Sequence, residues 1–287
     1  MADRNNLRTI VRGAYDVQKL RIQMGNRIVG NFKAKLGQAP GQPEEEMDAE
    51  GKKIIEAMRA AYKKLTDGVK VFPRQKDFVG DEVISDYTEL CLVAQYMDLE
   101  KHEDQHFRRL GNILNEFPIY THFLDHVRGI GPAMAGVIIS EIDITKCRYP
   151  SSLWKYAGLD VASNGAGRSR KKEHLVEREY KDRDGNPATR VGITFNPFLK
   201  TKLVGVLASS FLRCQDSPYA EVYRNYKHRL ENHEKYATVS KGHRHNMAMR
   251  YMVKRFLVDL YREWRTLEGL DVSAEYHEAK LGHRHVA

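Results

Sequence analysis

The stretch Phe123–Ile142, FLDHVRGIGPAMAGVIISEI, decides how the chain is read. It sets a Gly-hydrophobic-Gly turn, Gly129-Ile130-Gly131, between two apolar runs of helical period, the pattern of a helix-hairpin-helix. Glycine has no Cβ, so the chain can turn tightly here and bring the first-turn N–H groups of the following helix against a phosphate. Ala133 is small enough for close approach, and Val127, Ile130, Ile138 and Ile139 are placed to lock the two limbs together. Contacts of this kind position a protein on nucleic acid without reading sequence. An ordinary tight turn between two helices is the alternative reading of the same residues.

Composition narrows the class. In 287 residues, 41% are hydrophobic, enough for at least one substantial core, and Lys+Arg 47 against Asp+Glu 38 leaves a net charge of +9. An excess of positive charge favours a polyanionic partner, with nucleic acid first among them. The opening MADRNNLRTI lacks the apolar core of a secretory signal, and no segment approaches the ~18 apolar residues of a membrane span. A cytoplasmic, nucleoid-associated protein with no membrane partner is expected. Cys91, Cys147 and Cys214 are widely spaced and include no CxxC pair, which argues against a disulfide framework or a cysteine zinc site.

The apolar period is helical almost throughout. A long amphipathic helix is expected over residues 1–35, with Arg4, Arg8, Arg12, Lys19 and Arg27 on its polar face; it reads as a helical arm, with a coiled coil as one form. Residues 36–50, rich in Gly, Pro and acid, read as a linker. Residues 51–122 read as a helical bundle segment, with helices at Gly51–Asp67, Glu82–Gln95 and Leu99–Asn115. Residues 123–270 form the helix-hairpin-helix domain, and 271–287 a mobile tail. Within that domain Pro150-Ser151-Ser152 starts a short helix stopped at Gly158. Leu175–Tyr180 and Ala188–Ile193, on either side of the turn Asp184-Gly185-Asn186-Pro187, predict the one small β-hairpin. Asn196-Pro197 opens another helix, and Asn246–Arg265 is the last strong one. The fold class is therefore mostly α.

The densest charge is Arg168-Ser169-Arg170-Lys171-Lys172, where four cations in five residues repel one another unless an anion is present. Arg128, Lys200, Lys202, Arg250 and Lys254, and with them Arg255 and Arg262, are candidates to extend that face towards DNA. The tetrapeptide GHRH occurs at residues 242–245 and again at 282–285. Histidines at i, i+2 chelate zinc only from an extended segment and need further ligands that the spacing does not supply, so no metal is expected. Tyr223–Arg229, YRNYKHR, is an aromatic-basic mixture of the kind that stacks on bases.

The order of these motifs carries a resemblance. VRGIGPAMAGVIISEI, then Pro150, then LWKYAGLD, then a Gly/Ser/Arg loop resembles the C-terminal domain of the insertion-sequence-110 (IS116/IS110/IS902) family of transposases. The closing GHRHNMAMRYMVKRFLVDLYREW is similar to the family's last helix, so that the likeness covers roughly Phe123–Gly269. It implies DNA binding in recombination or transposition, strand transfer through a serine nucleophile, and a homo-oligomer formed through the N-terminal helices. Two departures are visible. The family's ribonuclease-H-like nuclease domain, whose carboxylates bind divalent metal, has no counterpart in the pattern before residue 123, so this half is expected to be missing. The family's nucleophilic serine stands before a glycine, and the matching pair here is Ala166-Gly167. Alanine has no hydroxyl to attack with. Ser169, among arginines and lysines, is then the candidate catalytic residue, and a separate nuclease subunit with its metal, or a guide RNA, would complete the reaction. No cofactor is otherwise expected. A non-catalytic DNA architectural or regulatory protein, and a binder of structured RNA, are the competing readings.

Overall fold

The computed structural model describes residues 3–38, 48–69, 71–214 and 216–274. The predicted 36–50 linker and 271–287 tail, with the second GHRH copy, lie largely outside them. The chain divides into two compact units, Thr9–Leu110 and Met1–Arg8 with Gly111–Ala287. The described residues are mostly α-helical, as the periodicity predicts.

In the Thr9–Leu110 unit the helices are α1 (Arg4–Lys35), α2 (Ala49–Thr66) and α3 (Tyr87–Leu114). The apolar face of α1 is covered within the chain: Met24, Ile28, Val29 and Phe32 pack with Ile55 and Met58 of α2 and Leu90, Val93 and Tyr96 of α3. Asp48 caps α2 by accepting the N–H of Gly51 at 2.6 Å. The two helices expected at Glu82–Gln95 and Leu99–Asn115 are one. No Gly or Pro separates them, and Asp86, accepting from the N–H groups of Thr88 and Glu89, sets the start at Tyr87. A buried Glu103 carboxylate ties α1 to α3, taking Arg21 Nε at 2.5 Å and the Gln18 amide at 2.8 Å.

The second unit is built round α5 (Pro132–Glu141) and α10 (Lys241–Leu267). α4 (Pro118–His122) and a 3-10 turn, Leu124–His126, lead into the glycine turn, so the first limb of the hairpin is short rather than a full helix. α5 is buried from Met134 to Glu141, which its all-round apolar sequence requires. α6 (Pro150–Tyr156) follows, then the antiparallel hairpin β1 (Val176–Lys181) and β2 (Pro187–Gly192). Next comes α7 (Pro197–Lys200), which runs through a π-helical segment, Thr201–Leu207, into α8 (Ala208–Arg213). α9 (Pro218–Asn232) packs along α10. Phe256 of α10 centres the core, with ring centroids 5.5 Å from both Phe211 and Tyr219. Gly129 has φ +98°, and a Cβ there would lie 3.0 Å from the Phe211 ring, so this turn needs glycine on both backbone and packing grounds.

Helix α10 starts earlier than the sequence predicts, at Lys241, because Ser240 caps it by accepting the His243 N–H at 3.2 Å. The first GHRH is therefore helical, and its two histidines leave the helix in different directions. His245 Nδ1 meets the Tyr223 hydroxyl at 2.6 Å. Among the described residues no group of three or more His, Cys, Asp or Glu is arranged to hold a metal, and no helix is long and apolar enough to cross a membrane.

Candidate nucleic-acid interface

The site is assembled by the end of α6, the loop after it, α7 and α10. α6 stops at Gly158, and the chain turns into a loop closed on itself by a bridge between Val161 and Gly167. Asp160 anchors this loop. Its Oδ2 accepts from Arg168 Nε at 3.1 Å and Nη2 at 2.8 Å, and its carbonyl accepts the Arg168 N–H at 3.0 Å. The Arg168 side chain, placed among the DNA contacts by the sequence, is thus largely occupied as a strut, and its carbonyl is turned towards other cations. Lys200 Nζ donates to that carbonyl at 2.5 Å. Arg250 Nη2 donates to the Gly158 carbonyl at 3.0 Å and reaches the Arg168 carbonyl at 3.5 Å. The guanidinium of Arg250 lies against Gly167, in space that a Cβ at that position would fill.

Lys254, one turn further along α10, places its Nζ 5.1 Å from the Trp154 ring centroid, and its carbonyl accepts the Trp154 indole N–H at 3.3 Å. Lys200, Arg250 and Lys254 therefore converge on a loop whose one carboxylate, Asp160, is already bound to Arg168. The electrostatic cost is visible in their acidity. Burial, with the charges of Arg250 and Arg170 adding to it, pulls Lys200 down to about 8. Burial and then Arg250 lower Lys254, and burial lowers Arg250. Cations crowded and half-desolvated in this way are poised for an anion.

The other candidates do not share these hydrogen bonds. Arg170, Lys171 and Lys172 are exposed on the loop beyond Ser169. Lys202 sits with its Nζ 5.6 Å from the Phe198 ring. Arg128 is in an exposed ion pair with Asp216 at 3.0 Å, worth roughly 0–1 kcal/mol and easily exchanged for another anion. In the glycine turn, Ile130 is buried, while Gly131 and Pro132 are exposed at the start of α5 and Ala133 is partly so. The Gly129 carbonyl is taken by the Ser210 hydroxyl at 2.8 Å.

Ser169 has a partner the sequence reading missed. His174 is 3% exposed, and its Nδ1 lies 2.7 Å from Ser169 Oγ and 3.0 Å from Ser169 N. A backbone N–H can only donate, so this nitrogen is the acceptor, and the hydroxyl lies within hydrogen-bond reach of it. The Lys171 N–H in turn donates to Ser169 Oγ at 3.3 Å. A hydroxyl hydrogen-bonded to an imidazole acceptor is the pairing that general-base activation of a nucleophile requires. The signal was present as a histidine five residues after the serine, but only the closed loop brings the two together. Ala166 is exposed and, without a hydroxyl, offers no such group.

Among curated proteins the chain has no match. Residues 121–183 match the model of the family described as Transposase IS116/IS110/IS902 family. That span holds the glycine turn, α5, α6, Asp160, Arg168, Ser169, His174 and β1, and covers well under half of the chain; Lys200, Arg250 and Lys254 lie beyond it. The chain carries, at residues 121–183, a segment of the Transposase IS116/IS110/IS902 family.

Proposed function

We infer that this protein binds DNA in transposition or recombination, through the face where Lys200, Arg250 and Lys254 surround the Asp160–Arg168 loop. The observation that carries the reading is the convergence itself. Three cations from α7 and α10, separated in sequence by up to 54 positions between Lys200 and Lys254, meet where a single carboxylate is already committed. A phosphate seated there would relieve their mutual repulsion and release condensed counterions from the nucleic acid. The exposed Arg170, Lys171 and Lys172 extend the same loop towards solvent, and the start of α5 supplies a second place for a backbone phosphate. The family match supports the setting. The homo-oligomer, nuclease subunit, its divalent metal and guide RNA implied by the resemblance belong to this proposal as partners.

The test is fluorescence anisotropy with a four-way DNA junction, a matched linear duplex and a structured RNA over a salt series. DNA binding that weakens steeply with salt and falls at least tenfold in a Lys200→Gln, Lys254→Gln variant is the expected result. No binding to any of the three would overturn the reading.

A second reading, a DNA architectural or regulatory module without chemistry, is favoured by Ala166 at the place of the family's serine. The Ser169–His174 pair favours the enzyme. A covalent protein–DNA adduct on a supercoiled substrate that disappears in Ser169→Ala decides for the enzyme, and tight binding without an adduct decides for the module.

A further inference from the structure

The β1–β2 hairpin has no task in the site described above, yet it is the most exposed regular element of its unit. Every residue of β1 is exposed, and four of six in β2 are. An isolated two-stranded ribbon is at best marginally stable in water, so a hairpin that covers no core is structurally unexplained. Its register makes it more so. Arg178 is directly opposite Arg190, and like charges at opposed positions destabilise a ribbon. Neither arginine is in an ion pair with a described residue.

Alternation sorts the side chains by charge. One face carries Val176, Arg178 and Tyr180 with Arg190, whose guanidinium lies 5.3 Å from the Tyr180 ring centroid. The opposite face carries Glu177, Glu179 and Lys181. The ribbon is thus basic and aromatic on one side and mixed, with an acidic excess, on the other, a polarity that would orient it on a polyanion. Its root adjoins the cationic site: β1 follows His174, whose ring holds Ser169, and β2 leads to Phe195, whose ring has Lys200 Nζ 4.7 Å from its centroid.

We propose that the Arg178–Tyr180–Arg190 face of this hairpin is a second DNA-contacting element, which lies along a duplex groove and holds a backbone phosphate between its two opposed guanidinium groups. The proposal rests on the DNA-binding reading above and adds to it an element and a substrate form. Duplex DNA is the partner the shape favours. The major groove of B-form DNA, about 12 Å wide, admits a two-stranded ribbon, whereas the major groove of A-form RNA is too narrow. A ribbon whose strands are exposed along their length can enter such a groove.

The experiment is anisotropy on the full chain with a linear duplex and a structured RNA hairpin, over a salt series, comparing wild type with Arg178→Gln/Arg190→Gln, Arg178→Lys/Arg190→Lys, and Lys200→Gln. All substituted hairpin positions are exposed, and circular dichroism checks that each variant folds. Loss of the one phosphate held between the two guanidinium groups lowers the slope of log K against log salt by about 0.9. The expected result is that drop with about a tenfold loss of duplex affinity in the Gln pair, and recovery to within about threefold in the Lys pair. Unchanged duplex affinity in the Gln pair, with Lys200→Gln still weakening it, overturns the hairpin proposal and leaves the DNA reading standing. Absence of duplex binding by the wild type overturns both. Tighter binding to the RNA, lost in the Gln pair, overturns the choice of duplex DNA.

Discussion

The hydroxyl of Ser169 and the buried imidazole of His174 are joined at 2.7 Å, and the same ring nitrogen accepts the backbone N–H of Ser169 at 3.0 Å. His174 thus does two things at once: it fixes the loop, and it offers an acceptor for the serine proton. Substitutions separate the two. His174→Ala leaves a backbone N–H and a hydroxyl without their acceptor, at a cost of about 1–3 kcal/mol, whereas Ser169→Ala removes the hydroxyl's bond to the ring, worth about 0.5–1.5 kcal/mol, and leaves the exposed Lys171 N–H to water. Urea unfolding should rank the variants in that order. If Ser169 forms an adduct with DNA, both substitutions abolish it, while DNA affinity falls only in His174→Ala, where the loop itself loosens. An adduct that survives Ser169→Ala would remove this serine from the chemistry.

Lys200 gives the site a pH signature. Its pKa of about 8 lies below the 10.5 of the free side chain, with burial the main cause and Arg250 and Arg170 contributing; Asp160 acts in the opposite direction. Between those values the unfolded chain binds more protons than the folded one, so this group's contribution makes stability rise with pH through that window and penalises the fold below it. Binding runs the other way, because a phosphate favours charged Lys200. DNA affinity should therefore fall as pH rises from 7 to 9, and complex formation near pH 8.5 should take up protons, seen as a buffer-dependent heat in calorimetry. The Lys200→Gln variant should lose that proton uptake.

Gly167 can be tested for its service to Arg250. The Arg250 guanidinium fills the place a Cβ would take, and flexible side-chain ends move more cheaply than backbone. In Gly167→Ala the guanidinium must withdraw from the Gly158 carbonyl. The expected result is a loss of stability of about 1.5–3 kcal/mol from the displaced charged hydrogen bond, with a severalfold loss of DNA affinity. Arg250→Ala combined with Gly167→Ala should lose no more affinity than Arg250→Ala alone, since both act on the same guanidinium.

The helices were legible because apolar spacing reports which face is buried, and α1, α5 and α10 follow it closely. The reading failed where one helix was divided in two. The break expected between Gln95 and Leu99 falls on Tyr96-Met97-Asp98, where nothing stops a helix, and α3 continues through it. Asp86 with Glu89 three residues on was a readable start signal that outranked the earlier Glu82. The cationic site could be named residue by residue but not assembled. That Arg250 reaches the Gly158 carbonyl is a tertiary fact, spanning 92 positions, with no local trace. Nor could the sequence distinguish Arg168, bound to Asp160, from Arg170 two residues on, which is exposed.

The two glycines of the hairpin turn serve different ends, and alanine at each position shows which. Gly129 has a positive φ and abuts Phe211, so Gly129→Ala strains the backbone and pushes on a buried ring in the core around Phe256. It should cost about 1–3 kcal/mol, the range for backbone held in a sparsely populated region. Gly131 is extended and exposed, with nothing within 4 Å of a Cβ placed there. The fold therefore has no steric need for glycine at 131, and Gly131→Ala should cost only about 0.5–1 kcal/mol, the step from glycine to the poorer N-cap alanine. A backbone phosphate approaching the first turn of α5 would meet that methyl group. Duplex affinity in Gly131→Ala should drop at least fivefold while the protein stays folded; affinity equal to wild type would show that DNA does not approach α5 at this end, and the glycine turn would then be structural alone.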